Sequence, residues 1–240
     1  MIEILQDFFA RNDDVAQQLA RHAFISYVPA LAGLLVALPV GLYIGHARRF
    51  EFAAVTLANL GRAIPSFAIL SIALPISIRF GLGIEFWPVF SALFLLSIPP
   101  ILVNAYVGVR SVDPDTVEAA RGMGLSEREI LTRIELPLAA PLIVTGLKTA
   151  AVQSVATATL ASFVAGGGLG DYIRLGIRAD HIEDLVGGAV LVALMALVTE
   201  LGLGFVERVS RPRTRSQRKV DPWTHAAQVP RPASGSGLGV

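Results

Sequence analysis

Long apolar runs, separated by short polar stretches, organise this chain. Apolar residues dominate 23–45, 52–78, 86–109, 138–165 and 185–206. A helix crosses the hydrocarbon of a bilayer with about 20 such residues, so each run predicts one span. Backbone groups in lipid must satisfy one another, which favours helices. Pro29 and Pro39 lie in the first run, Pro65 in the second, and Pro99 and Pro100 in the third. Membrane helices tolerate such prolines, and Pro65 is expected to kink its helix. Trp87 opens the third run, as suits an interfacial anchor. Residues 79–85 read as a turn, and 171–184 as a loop after the glycine cluster at 166–170.

Composition strengthens this picture. Hydrophobic residues make up 53% and charged residues 16%, against about 25% charged in soluble domains. The chain therefore reads as an all-α integral membrane protein. A formal net charge of +1 gives no argument for nucleic acid, and the lack of cysteine excludes disulfides and thiolate metal sites. Residues 1–22 read as an external lead-in; 12–21 has the caps for a short polar helix, but a simple surface segment is the favoured reading. Residues 23–208 form the membrane domain, and 209–240 a basic cytoplasmic tail expected to be disordered, being too poor in apolar residues to pack. The lead-in lacks the basic start and cleavage site of a signal peptide, so targeting falls to the first span. Arg48, Arg49, Arg110, Arg121, Arg128, Arg133 and the tail arginines share one side. Arg11, Arg21, Arg79, Arg174 and Arg178 share the other. The richer side is expected to be cytoplasmic, placing the N-terminus outside and the C-terminus inside.

One polar stretch between the third and fourth runs, 113–137, predicts a two-helix elbow. Asp113 before Pro114 is an N-cap followed by proline at the first helical position. Gly124 ends that helix in the left-handed conformation. Ser126 and Glu129 have capping-box spacing and start a second helix, which cannot run unperturbed past Pro137. Ile130, Leu131 and Ile134 are expected to form an apolar contact ridge, flanked by Glu127, Arg128 and Arg133. Glu118 has i,i+3 spacing to Arg121 and can also serve its own helix.

Catalytic constellations are not evident. Neither lysine follows a glycine, so no P-loop is formed. His22, His46, His181 and His225 are widely spaced, and no metal site is expected.

Within the elbow, Glu118-Ala119-Ala120, Gly124, Ile134, Leu136 and Pro137 reproduce the pattern E-A-A-x3-G-x9-I-x-L-P. This resembles the signature loop of membrane permease subunits of ATP-binding-cassette (ABC) importers. The resemblance implies a type I importer-like transmembrane domain, whose elbow docks on a separate ATPase. By the same resemblance, Glu118, Ala119, Ala120, Gly122, Met123, Gly124, Leu125, Ser126, Glu127, Ile130, Ile134, Leu136 and Pro137 are its coupling residues. ATP and Mg would sit on that partner, with no cofactor bound by this chain. A binding protein outside the membrane and a second permease copy or paralogue complete the implied assembly, in a bacterial cytoplasmic membrane.

Further segments, N-L-G-R-A-I-P-S at 59–66, I-P-P-I-L at 98–102 and G-G-G-L-G-D-Y-I at 166–173, resemble permeases for glycine betaine, carnitine, choline or proline. Methionine-type permeases are the alternative. A quaternary amine is typically read by an aromatic cage, but Phe67, Phe94 and Tyr106 are scattered in sequence. Asn104, Gln153, Ser154, Thr157 and Thr159 are candidates to line the path, or to join helices by hydrogen bonds. An ion-coupled carrier is disfavoured because the deep apolar zones lack Asp and Glu.

Overall fold

The computed structural model describes residues 2–164 and 167–211, and all their regular structure is helical. The elements are α1 (Ile2–Arg11), α2 (Val15–Ala47), α3 (Glu51–Ala63), α4 (Ser66–Arg79), α5 (Trp87–Arg110) and α6 (Pro114–Gly122). Then α7 (Glu127–Ile130) passes through a π-helical turn, Leu131–Glu135, into α8 (Leu136–Ala158). α9 (Ala161–Val164), α10 (Gly170–Ala179) and α11 (Ile182–Ser210) follow. Of the tail expected at 209–240, residues 209 and 210 instead close α11, and those from 212 lie outside the described residues.

Close backbone approach builds the bundle around α5. On α2, Gly33, Ala37, Gly41 and Gly45 recur every fourth residue and are buried. A Cβ at Gly41 would lie 2.8 Å from both the Leu102 carbonyl and the Ala105 Cβ, so only glycine fits without movement. Small residues at such spacing let membrane helices pack by van der Waals contact. On the other flank, Gly146 of α8 meets Asn104 and the Pro100 carbonyl. Ala37, Ile44, Ile101, Leu102, Tyr106 and Ala150 fill the core between these three helices.

Among the described residues, four helical stretches are long and apolar enough to cross a membrane: Val15–Ala47, Trp87–Arg110, Glu127–Val164, which takes in α7, the π turn, α8 and α9, and Ile182–Ser210. The predicted second span, 52–78, is instead two helices. Ile64 is extended, with φ −78° and ψ 121°, as a residue before proline prefers, so α3 and α4 separate at Pro65. The expected kink is a complete break. The fourth run also ends early, breaking at Thr159 and Leu160 before α9.

Two polar segments are more ordered than expected. The lead-in is helical and docked: Phe8 is fully buried, packing edge-on against Tyr172 at 5.1 Å. Residues 15–22 continue without interruption into the first span. The predicted loop at 171–184 contains α10, whose Tyr172 and Gly176 face inward while Ile177 and Arg178 stay exposed. Asp14 accepts a hydrogen bond from the Tyr172 hydroxyl, and Asn12 donates 3.0 Å to Asp184, fastening both to the bundle.

Candidate functional site

The elbow folds as its punctuation predicts. The Asp113 carboxylate accepts from the Asp115 amide at 2.9 Å, with Pro114 opening α6. Gly124 has φ +86°. The Leu125 amide donates to the Ala120 carbonyl at 3.2 Å, and the Gly124 amide to Arg121 at 3.0 Å. These paired bonds are a Schellman ending, and Leu125 packs near Ala120 as that motif favours. Ser126 and Glu129 close the capping box in both directions. Pro137 has no amide hydrogen to offer, and the helix passes it by widening: the Leu136 amide donates five residues back to Leu131.

Val112, Val117, Ala120 and Ile130 form the elbow's own core, with Leu125 and Ile134 against it. Ile130 is 0% exposed. It therefore holds the elbow together and does not belong to an outward ridge. Ala120 is likewise inside, whereas Glu118, Ala119, Gly122, Met123, Gly124, Ser126, Glu127 and Pro137 are exposed. Leu125, Ile134 and Leu136 are half-buried. Nothing lies within 4 Å of a Cβ built on Gly122 or Gly124. The result is a rigid, uncovered edge with a large apolar side chain, Met123, 74% exposed.

Charges brace this edge. Arg121 donates to Glu127 through two nitrogens, at 2.7 and 3.0 Å, which holds the guanidinium above its usual pKa. Arg121 thus bonds the next helix, not Glu118 as the i,i+3 spacing suggested. Glu118 makes no hydrogen bond or ion pair among the described residues. His46, at the end of α2, lies 2.6 Å from Glu135 and 3.3 Å from Glu127. A cavity of about 260 Å³ adjoins this cluster, lined by His46, Arg48, Val117, Glu118, Arg121 and Glu135 among others.

Four of the five candidate path residues lie along α8 or at its end and one, Asn104, on α5, and their burial and partners differ. Asn104 donates to its own helix at Pro100, 2.7 Å away. Ser154 is 0% exposed and lies 3.3 Å from Ser97, so it joins α8 to α5. The Thr159 hydroxyl bonds the Ala156 carbonyl at 2.8 Å. Thr157 is half-buried, and Gln153 alone of the five is exposed, on the same face of α8 as Thr149 and Ala156.

Several pairings escaped sequence reasoning. Lys148 bridges Glu200 at 3.0 Å and Glu207 at 3.1 Å, tying α8 to α11 by charges that satisfy one another. Phe24, Phe86, Trp87, Phe90 and Phe94 form a chain of neighbouring rings, with Phe90 stacked on Phe94 at 5.8 Å. The four-residue spacing of Phe86, Phe90 and Phe94 was the available signal. This stack runs inward from the Trp87 end of α5, a fit for interfacial anchoring. No group of three metal-ligating side chains occurs among the described residues.

Among the described residues the fold is an all-helical scaffold with membrane-length helices and a preformed, exposed polar elbow. Residues 32–216 match the family of binding-protein-dependent transport system inner membrane components, and the chain belongs to that family. Relatives extend over nearly the full length. It is 35% identical over 212 residues to the choline transport system permease protein OpuBB of Bacillus subtilis, covering 88% of this chain and 95% of that one. It is 34% identical over 200 residues to the glycine betaine/carnitine/choline transport system permease protein OpuCB of the same organism, covering 83% and 90%. The carnitine transport permease protein OpuCB of Listeria monocytogenes is 33% identical over 213 residues, covering 88% and 95%. Among solved structures, a chain of the MetNI methionine ABC transporter superposes with a TM-score of 0.71, covering 82% of this chain and 96% of that one. At 19% identity, that likeness carries the fold alone.

Proposed function

We propose that this permease subunit forms the membrane pathway of an ABC importer for small quaternary-amine osmoprotectants of the choline, glycine betaine and carnitine type. The observation that carries the reading is near-full-length similarity at 33–35% identity to permeases bearing those names. The exposed edge of α6, with Gly122 and Gly124 open to a partner, supports docking of a separate ATPase there. ATP and Mg belong to that partner, and this chain needs no cofactor of its own. A binding protein delivers the solute from outside, and a second permease copy or paralogue closes the pathway. The elbow faces the cytoplasm of a bacterial cell, the C-terminus with it and the N-terminus outside, in accord with the arginine asymmetry. Exposed Val198, Leu201, Phe205 and Val209 leave α11 an apolar outer face suited to lipid.

The test is reconstitution of this chain in liposomes with an ATPase subunit and a binding protein, followed by labelled choline, glycine betaine and methionine uptake. Uptake of a quaternary amine that requires ATP and binding protein supports the reading. Methionine uptake, with the quaternary amines excluded, would transfer the chain to the other substrate class.

A further inference from the structure

The elbow is continuous in sequence with α5 and α8, but α2 is not, and its polar link to the elbow is one side chain, His46, among the described residues. Among the described residues, both polar contacts from α2 to the elbow are made by His46. Its Nδ1 lies 2.6 Å from Glu135 and its Nε2 3.3 Å from Glu127. Glu127 in turn holds Arg121 of α6. The chain Glu135–His46–Glu127–Arg121 therefore crosses from α6 through α7 and the π turn to α2.

Burial separates this contact from an ordinary surface pair. The Glu135 side chain is 4% exposed and that of His46 18%. A carboxylate so placed is costly unless paired and hydrogen-bonded, so its partner is structurally required. Glu135 also occupies the π-helical turn, a backbone irregularity frequent at functional sites. Beside it, the cavity of about 260 Å³ leaves room for the elbow to shift against the end of α2.

We infer that His46 and Glu135 are a positioning pair: the joint through which displacement of the elbow is passed to α2. Drive from a docked ATPase then reaches α2 through this side-chain link, besides the covalent routes into α5 and α8. This rests on the elbow being the ATPase-coupling element.

The test uses the complete transporter, reconstituted with its ATPase and binding protein, and reads ATP hydrolysed per solute imported. His46→Leu removes the link. His46→Asn places an amide N–H where Nδ1 stands and retains the bond to Glu135. Glu135→Gln weakens the bond from the other side. In His46→Leu, the ratio of ATP to solute is expected to rise about tenfold, within the usual range of site-to-site coupling. His46→Asn is expected to restore the wild-type ratio within about threefold, with Glu135→Gln between the two. A wild-type ratio in His46→Leu, or equal failure of the Asn and Leu variants, overturns the inference. If His46→Leu does not reach the membrane, His46→Asn and Glu135→Gln decide: distinct ratios in the expected order support the joint, and equal ratios overturn it. Wild-type protein that imports nothing with ATP would instead overturn the function on which the joint rests.

Discussion

Replacing Gly124 tests whether the elbow's turn transmits work. At φ +86° this residue sits where an L side chain is strained, at about 1–2 kcal/mol. No atom lies within 4 Å of a Cβ built there, so a clash adds nothing and the cost is conformational. Such a cost lowers the population of the native turn relative to competing turns by roughly 5–30-fold. Asparagine enters this region readily, while a β-branched side chain resists it most. The expected order of function is therefore Gly, Asn, Ala, Val. The buried cluster of Val112, Val117, Ala120 and Ile130 is untouched, so the protein should still fold and insert. Ala193→Val, at an exposed position of α11, is the control. The assay is binding-protein-stimulated ATP hydrolysis and uptake in liposomes. Gly124→Val should lose most of both at normal membrane abundance. Wild-type coupling in Gly124→Val, or Gly124→Asn as damaging as Gly124→Val, would refute the reasoning.

Packing and electrostatics give further expectations. Gly41→Leu forces atoms against the Leu102 carbonyl and Ala105, and should lower thermal stability in detergent by about 1–3 kcal/mol, whereas Leu35→Ala, at a 77% exposed position, should change it little. Asp14 has its pKa held below its ordinary 3.8, first by the Tyr172 hydroxyl and then by Gln18. That stabilisation is complete above about pH 3.8 and is lost as pH falls through the lower folded value. Tyr172→Phe should therefore cost about 1 kcal/mol near neutrality, with the difference from wild type shrinking in acid, as a pH series of melting curves would register. Because the chain has no cysteine, single replacements report topology: Gly122→Cys should react with an impermeant maleimide only from the cytoplasm, and Leu82→Cys only from outside.

Legibility in sequence followed the range of the interaction. The elbow was readable because its caps, its Schellman glycine and its capping box are set by neighbours within six residues. The apolar runs located the spans, since lipid imposes length and composition locally. Their continuity was less legible. Pro65 predicted a kink; the break comes from Ile64 taking the extended conformation that a residue before proline favours, which the kink reading had understated. Side-chain pairing was hidden almost entirely. His46 and Glu135 are 89 positions apart, and Lys148 is 59 from Glu207, so neither pair leaves a spacing signal. Ile130 was misread for a related reason: a short amphipathic helix shows its apolar face, but not whether its own loop already covers it.

Transport through this chain is expected to be driven by ATP hydrolysed on another subunit. Its most direct test is solute uptake into liposomes holding the permease and its ATPase, with binding protein outside and ATP trapped inside. Labelled quaternary-amine uptake should stop with a non-hydrolysable nucleotide and be indifferent to an imposed proton or sodium gradient. Uptake that follows the ion gradient and persists without ATP would contradict it.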